Sequence, residues 1–281
     1  MTVWGASRIP LPFESRLGGP VPKPRKLIPA YRFAATLVRP TLRAMTRRNW
    51  SGHEHIPAEG GFVLCPNHIS YADPLPFAHF AFDSGREAYF LGKESVFRVP
   101  VVGWILHKAG QIPVYRESGQ AATAFRAAVA AVREGKCVAI YPEGTITRDP
   151  DLWPMTGKTG AARVALETRC PVIPVAQWGA QEILAPYAKK PKLFPRKTMH
   201  VRAGPPVDLA DLYGAPITTV VLKEATERIM AAITRELEVI RGESAPAVRF
   251  DARSAGLPRT GRFDRDRAHR RAPGSGEESG R

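Results

Sequence analysis

Seven residues set the interpretation of this chain: Asn67-His68-Ile69-Ser70-Tyr71-Ala72-Asp73. They follow an apolar run, 61–66, that predicts a short buried strand, and they precede 74–80, which predicts the start of an apolar helix. Five helical steps of about 100° separate His68 from Asp73, so one helical face cannot carry both. A turn that folds Asp73 back would let it accept the Nδ1 proton and leave Nε2 free as a general base.

The same residues also have structural interpretations. An aspartate followed by Pro74 is typical of a helix N-cap with proline at the first helical position. An asparagine at a strand end, such as Asn67, can simply close a turn. A histidine and an aspartate at this spacing also arise by chance, so the motif needs support from the rest of the chain.

Composition indicates a globular protein with an anionic partner. The chain has 281 residues, 44% of them hydrophobic, and a net charge of +15. Residues 1–48 hold ten Lys or Arg against Glu14 alone, which favours acidic lipid, nucleic acid or a phosphorylated substrate. Three widely spaced cysteines form no metal-binding pattern and are expected to be buried thiols in a reducing compartment.

The N-terminal 48 residues are expected to face a membrane without crossing it. No run of about 18 apolar residues and no signal-peptide layout occurs. Residues 1–25, rich in Pro and Gly, predict poor order. Residues 26–48 predict a basic amphipathic segment that Pro40 divides into two short helices or kinks as one. This segment suits a lipid interface, or it packs on the body with a solvated basic face.

Residues 49–242 predict the folded domain. Apolar runs alternate with helical patterns, the clearest of which are 119–134, 160–168 and 218–241. The runs that predict strands are 62–65, 88–91, 111–115, 137–141, 172–176 and 199–203. This alternation predicts an α/β fold with a mixed, largely parallel central sheet flanked by helices. Residues 243–281 predict a disordered tail, since they are charged and poor in aliphatic side chains.

Polar residues follow three further strand runs. Arg116 follows 111–115, Tyr141-Pro142-Glu143-Gly144-Thr145 follows the strand at 137–140, and 171–175 continues into Gln177. Ligands of open α/β sheets collect at the carboxyl ends of the strands. These groups are therefore expected to converge on one crevice with His68.

These blocks, in this order and spacing, resemble the glycerolipid acyltransferases. Asn-His-x4-Asp is followed by a strand ending in Arg116, then by Tyr-Pro-Glu-Gly-Thr and by Val-Ile-Pro-Val at 172–175. The chain is most similar to the 1-acylglycerol-3-phosphate acyltransferase family, over about residues 49–210. The resemblance implies transfer of an acyl chain from acyl-CoA or acyl carrier protein to the free hydroxyl of 1-acylglycerol 3-phosphate, giving phosphatidic acid in phospholipid biosynthesis.

The resemblance also implies a role for each site residue. His68 is the base and Asp73 orients it, while the residues assigned to substrate binding are Asn67, Arg116, Glu143, Gly144, Thr145 and, as a lesser candidate, Lys93. Arg116 suits a phosphate through its bidentate fork. Glu143 orients Arg116 or the glycerol hydroxyl, or it is a structural carboxylate bonded to backbone. Backbone N–H groups of the 67–73 turn are candidate donors to the oxyanion, and Ser70 is expected to cap that turn.

Other features have weaker interpretations. Arg148 and Lys158 are expected to be solvated surface residues, and the apolar stretch 96–106 is expected to be core, with an acyl slot as the alternative. No metal and no cofactor are expected. The expected partners are an anionic membrane surface, on its cytoplasmic side, and the two lipid substrates, with no nucleic acid.

Three other functions stay open at this stage. The first is the same chemistry on glycerol 3-phosphate or on another lysophospholipid. The second is thioester hydrolysis, and the third is a lipid-binding protein without catalysis.

Overall fold

The structure, a computed structural model, describes residues 29–100, 102–114, 121–188 and 190–257. Within these ranges the helices are α1 (Pro29–Met45), α2 (Pro74–Asp83), α3 (Glu94–Phe97), α4 (Val102–Lys108), α5 (Ala121–Arg133), α6 (Gly160–Thr168), α7 (Ala180–Ile183) and α8 (Thr219–Arg241). The strands are β1 (Thr46–Ser51), β2 (Phe62–Pro66), β3 (Ala88–Lys93), β4 (Ile112–Val114), β5 (Cys137–Ala139), β6 (Val172–Trp178) and β7 (Lys197–Ala203).

The strands form one sheet in the order β1-β7-β6-β2-β5-β3-β4. Every neighbouring pair is parallel except β6 and β7, which run antiparallel. Because β1 runs parallel to β7, the start of β1 lies at the same edge as the carboxyl ends of β2 and β6. The predicted α/β fold with a mixed, largely parallel sheet is confirmed.

Helices cover both faces of this sheet. Val63 and Cys65 of β2 pack with α5, α6 and α8 on one face. Phe62 and Leu64 point to the other face and pack with α2. Since both faces of β2 are buried, the strand is a continuous apolar run with no alternation of polar residues, and this is what made it recognisable in the sequence.

The helix ends follow from local chemistry. Thr218 caps α8 by accepting a hydrogen bond from the Val221 N–H, and Gly242 ends the helix at φ 65°, a left-handed conformation that glycine adopts without strain. The helices predicted at 119–134, 160–168 and 218–241 correspond to α5, α6 and α8.

The N-terminal segment agrees with its prediction in part. Of the two alternatives, two short helices or a single one, α1 is a single helix that contains Pro40. It ends at Met45, and residues 46–48 belong to β1, which pairs with β7. This strand was missed because its sequence, Thr-Arg-Arg-Asn-Trp-Ser, is largely polar, and its partner lies about 150 residues away in the chain.

The predicted disordered tail does not begin at residue 243. The Ala245 N–H donates to Glu238, the Thr156 N–H donates to the Phe250 carbonyl, and Ala252 is buried. The chain therefore packs on the domain as far as residue 257. The predictions for 1–28 and 258–281 lie outside the described residues.

The cysteines and the apolar segments can also be compared with their predictions. The three cysteines are buried and free, as predicted. Among the described helices, none combines the length and apolar character needed to span a membrane. The stretch 96–106 contributes to α3 and α4, and it is not uniformly buried: Phe97 is in the core, whereas Val99 and Trp104 are exposed.

Candidate active site

The predicted contact between His68 and Asp73 is present. The chain leaves β2 at Pro66 and turns back, so that Asp73 Oδ2 lies 2.8 Å from His68 Nδ1. The same oxygen accepts the backbone N–H groups of Ile69 at 2.7 Å and Ser70 at 2.8 Å. Asp73 is fully buried, whereas the His68 side chain is 16% exposed. The carboxylate therefore holds both the imidazole and the turn that carries it.

Asp73 is the residue before α2, but its side chain makes no capping bond to that helix. Asp73 therefore occupies the N-cap position with Pro74 after it, as the structural interpretation predicted, but its Oδ2 faces back into the turn and does not cap the helix. Ser70 has the predicted turn-capping role: its hydroxyl accepts from the Ala72 N–H at 3.0 Å and donates to the Leu184 carbonyl at 2.6 Å.

Glu143 supports the backbone of the catalytic turn. Its Oε1 accepts the His68 N–H at 2.9 Å, and its Oε2 accepts the Met155 N–H at 3.0 Å. Burial raises the pKa of Glu143 to about 8, although the two backbone donors oppose the shift. The Thr147 N–H donates to the His68 carbonyl at 2.7 Å. Of the alternatives for Glu143, these bonds support the structural carboxylate bonded to backbone.

Asn67 is not placed for substrate binding. It is 1% exposed, and both ends of its amide bond the backbone of Gln177: Nδ2 donates to the carbonyl at 3.1 Å, and Oδ1 accepts the N–H at 2.7 Å. In addition, Gln177 Nε2 donates a hydrogen bond to the Asn67 carbonyl at 2.8 Å. These bonds join the ends of β2 and β6, so the structure corrects the assignment of Asn67.

The backbone donors of the turn are also engaged. Bonds inside the protein take up the N–H groups of His68, Ile69, Ser70, Ala72 and Asp73. These five groups are therefore not aimed at a substrate oxyanion, in contrast to the sequence-based expectation.

Gly144 and Thr145 lie in the turn after β5. Gly144 has φ +68°, and a Cβ there would lie 2.7 Å from Lys158 Nζ. Lys158 is therefore half-buried against this turn rather than a solvated surface lysine. Side-chain hydrogen bonds connect Tyr187 with Thr145 and with Arg148. Arg148 is 3% exposed, so its predicted place at the surface is wrong.

Tyr141 is a neighbour of His68 that was not predicted from the sequence. Its ring centroid lies 4.4 Å from that of His68 at an interplanar angle of 36°, and burial raises the pKa of its hydroxyl well above its ordinary value. The available signal was its position: it opens the Tyr-Pro-Glu-Gly-Thr block at the end of β5. Its ring restricts the orientations of the imidazole.

Two predicted residues cannot be placed. Arg116 lies outside the described residues, and Lys93 is described only as the last residue of β3, without its side chain. Among the described residues, no group of three or more His, Cys, Asp or Glu is arranged to hold a metal ion.

Comparison with known proteins agrees with this geometry. The family model Acyltransferase matches residues 47–178. The 1-acyl-sn-glycerol-3-phosphate acyltransferase of Borreliella burgdorferi is 35% identical over 127 residues, 44% of this chain and 48% of that protein. The enzyme of the same name from Bacillus subtilis is 25% identical over 66% of this chain and 86% of its own length. The chain thus spans about half the length of the Borreliella relative.

The fold also has a solved counterpart. The crystal structure of the 1-acyl-sn-glycerophosphate acyltransferase PlsC from Thermotoga maritima superposes with a TM-score of 0.58 at 21% identity, covering 77% of this chain and 81% of that one. The histidine–aspartate turn lies inside residues 47–178, so the part of the chain that matches the Acyltransferase family model also contains the candidate site.

Proposed function

We propose that the protein transfers an acyl chain from a thioester to the free hydroxyl of 1-acylglycerol 3-phosphate, giving phosphatidic acid. The observation that carries the proposal is the 2.8 Å contact between His68 Nδ1 and the buried Asp73 carboxylate. It fixes the tautomer that leaves Nε2 as the proton acceptor, on a ring that stays partly accessible. The names of the Borreliella and Bacillus relatives support the acceptor.

Each step of the reaction has an assigned group. His68 Nε2 takes the proton of the acceptor hydroxyl as its oxygen attacks the thioester carbonyl carbon, forming the C–O bond. The resulting imidazolium is stabilised by Asp73. The tetrahedral intermediate then expels the thiolate as the C–S bond breaks, and the thiolate takes the proton from Nε2 to become the thiol. Both substrates react while bound together, so proximity replaces an acyl-enzyme.

A serine nucleophile is not part of this proposal. Ser70 is the nearest hydroxyl in sequence, and it is 0% exposed. Its hydroxyl hydrogen goes to the Leu184 carbonyl, and its oxygen accepts the Ala72 N–H. A side chain held in this way serves the turn.

The acceptor phosphate is assigned to Arg116, with Gly144 and Thr145 at the same crevice and Lys93 as a lesser candidate. Arginine suits this role because its planar fork matches phosphate oxygens bidentately. Glu143 contributes indirectly: by bonding the His68 N–H, it fixes the backbone from which the base projects.

The protein acts as a peripheral enzyme on the cytoplasmic side of an anionic membrane. Support comes from the basic helix α1 and from large apolar side chains that stay in contact with solvent: Phe33 is 61%, Trp104 57% and Phe194 79% exposed. Exposed aromatic residues beside cationic ones suit the headgroup region of a bilayer. The acyl donor is acyl-CoA or acyl carrier protein.

The test is to incubate the purified chain with labelled palmitoyl- or oleoyl-thioesters and a panel of lysolipids, followed by lipid mass spectrometry. We expect phosphatidic acid from 1-acylglycerol 3-phosphate, only residual product from His68→Ala, and normal turnover by the matched control His55→Ala. A strong preference for glycerol 3-phosphate would contradict the proposed acceptor. Free fatty acid without acylated lipid would contradict transfer altogether.

A further inference from the structure

Two adjoining cavities lie between α1, β1, α2 and the segment that follows α7. The first, of about 430 Å³, is lined by Arg43, Thr46, Arg47, Arg48, Trp50 and Arg196. The second, of about 280 Å³, has a mainly apolar wall that includes Leu42, Met45, Leu75, Ile183, Leu193 and Met199. Thr46 and Trp50 line both cavities. Volumes of this order are typical of ligand pockets.

The first cavity has an excess of positive charge. Arg48 is paired with Asp83 at 3.0 Å, and Asp83 also binds Arg39. Among the described residues, Arg43 and Arg47 form no ion pair. Arg196 donates to the carbonyls of Arg43 and Thr46 at 2.7 and 2.8 Å, which fixes its guanidinium in the wall. Four arginines line one cavity, with Asp83 as the nearby acid, and this excess of positive charge matches a phosphate group.

Two residues that line the second cavity carry buried ring nitrogens without a hydrogen-bond partner among the described residues. Trp50 Nε1 and His79 Nε2 are buried and have no hydrogen-bond partner among the described residues. His79 is 4% exposed, and its Nε2 lies 3.9 Å from Asp83 Oδ2, beyond bonding distance. Burial lowers the pKa of His79 to about 4, so the ring is neutral at neutral pH. This part of the cavity wall therefore carries no charge, which suits an apolar ligand.

The surroundings match a lipid bilayer as the source of the ligand. Leu193, from the apolar cavity, is followed by Phe194, which is 79% exposed. Lys190, Lys192 and Arg196 belong to the same loop. The loop therefore combines a protruding aromatic ring with cationic neighbours beside the mouth of the site.

We propose that the two cavities form one site for an anionic glycerophospholipid, with its phosphate in the arginine cavity and an acyl chain in the apolar cavity. The site is separate from the base: Tyr71 and Ala72 of the catalytic turn line the apolar cavity, whereas His68 and Asp73 are absent from both linings. The bound lipid would thus contact the turn at Tyr71 and Ala72. The proposal does not depend on acyl transfer, because its ligand is not the acceptor.

The first experiment is calorimetric titration of the full chain with dihexanoylphosphatidylglycerol below its micelle concentration. We expect one lipid to bind per chain. The double variant Arg43→Gln/Arg47→Gln should bind it about tenfold or more weakly, because the substitutions remove two positive charges from the phosphate cavity. Both side chains are exposed, so the fold should tolerate the changes. The matched control Arg126→Gln/Arg235→Gln removes two exposed charges from α5 and α8, on the opposite face of the sheet, and should change affinity less than about twofold. Equal losses in the two double variants would overturn the site in favour of general electrostatic attraction.

The apolar half has its own test. Leu193→Gln makes the cavity wall polar at a position that is already 36% exposed, and the control Val239→Gln changes a 61% exposed residue of α8. We expect affinity to fall about threefold or more in the first and to stay unchanged in the second. If inorganic phosphate bound as tightly as the lipid, the site would be a free-phosphate site and the chain-binding half would be refuted.

Two further titrations separate the remaining alternatives. Dihexanoylphosphatidylcholine should bind at least about tenfold more weakly than the anionic lipid, and equal binding would refute the role of the arginines. Arg116→Ala should leave the affinity unchanged. A loss there equal to that of Arg43→Gln/Arg47→Gln would mean that the lipid occupies the acceptor site, which would overturn the second site while leaving the proposed reaction intact.

Discussion

Replacing Asp73 by asparagine removes its charge and leaves its three hydrogen bonds available. The Ile69 and Ser70 N–H groups both require an acceptor at the position of Oδ2. The amide of Asp73→Asn must therefore turn its oxygen towards them, and the same oxygen then receives the His68 Nδ1 proton. Its NH₂ group takes the place of Oδ1, which has no hydrogen-bond partner among the described residues. The tautomer of His68 is preserved, and only the charge that stabilises the imidazolium is lost.

The magnitude follows from this geometry. A hydrogen bond to a charged group contributes about 1.5–3 kcal/mol and one between neutral groups about 0.5–1.5 kcal/mol. The transition state should therefore lose about 1–2 kcal/mol, which lowers kcat about 5- to 30-fold. Asp73→Ala is different, because it leaves two buried N–H groups without an acceptor at a cost of about 1–3 kcal/mol each. It should therefore lower the free energy of unfolding as well as the rate.

The assay follows thiol release from acyl-CoA with 1-oleoylglycerol 3-phosphate as acceptor, alongside urea unfolding. Asp73→Asn should lower kcat with little change in either KM. In the His68→Ala background the same substitution should change the residual rate less than about twofold, because its effect passes through the imidazole. A full-sized loss in that background, or wild-type kcat in Asp73→Asn alone, would refute the assigned roles.

Three further substitutions test the surroundings of the base. Glu143→Gln should make the free energy of unfolding less dependent on pH. The pKa of this carboxyl rises from 4.5 to about 8 on folding, so its contribution to stability is fully present below about pH 4.5. That contribution is lost as pH rises towards 8, at about 1.4 kcal/mol per pH unit. Urea unfolding between about pH 5 and pH 8 measures this difference, and parallel curves for the two proteins would contradict the buried acid. Asn67→Ala leaves two Gln177 backbone groups unpaired and should lower the free energy of unfolding by about 1–3 kcal/mol for each of them. The KM for the acceptor, measured at low temperature, should stay unchanged. A selective rise in that KM would restore the assignment of Asn67 to substrate binding. Gly144→Ala should lower the free energy of unfolding by about 1–2 kcal/mol because of its left-handed backbone, and an unchanged midpoint of thermal unfolding would show that the turn relaxes.

The sequence was sufficient for the central sheet because buried parallel strands are continuous apolar runs, as at Phe62–Pro66. It was insufficient for β1, whose polar residues become a strand only through pairing with β7. The histidine–aspartate contact was predictable, since the two residues are near neighbours in the chain and their chemistry requires a turn. The partners of Asn67 and Glu143 were not, because these side chains bond to backbone groups that only the folded chain brings near them, and backbone groups leave no sequence signal.

The Asn67 amide pairs with the Gln177 peptide as another peptide group would, offering one donor and one acceptor to the neighbouring strand. A side chain thereby completes the last rung of the β2–β6 ladder. The Asn67 carbonyl is therefore not needed for the ladder, because the Gln177 N–H bonds to Asn67 Oδ1 instead. The main chain can leave the sheet at this residue, directly before His68. Because His68 immediately follows an asparagine, the chain changes direction abruptly while every strand-end hydrogen bond at this point is kept.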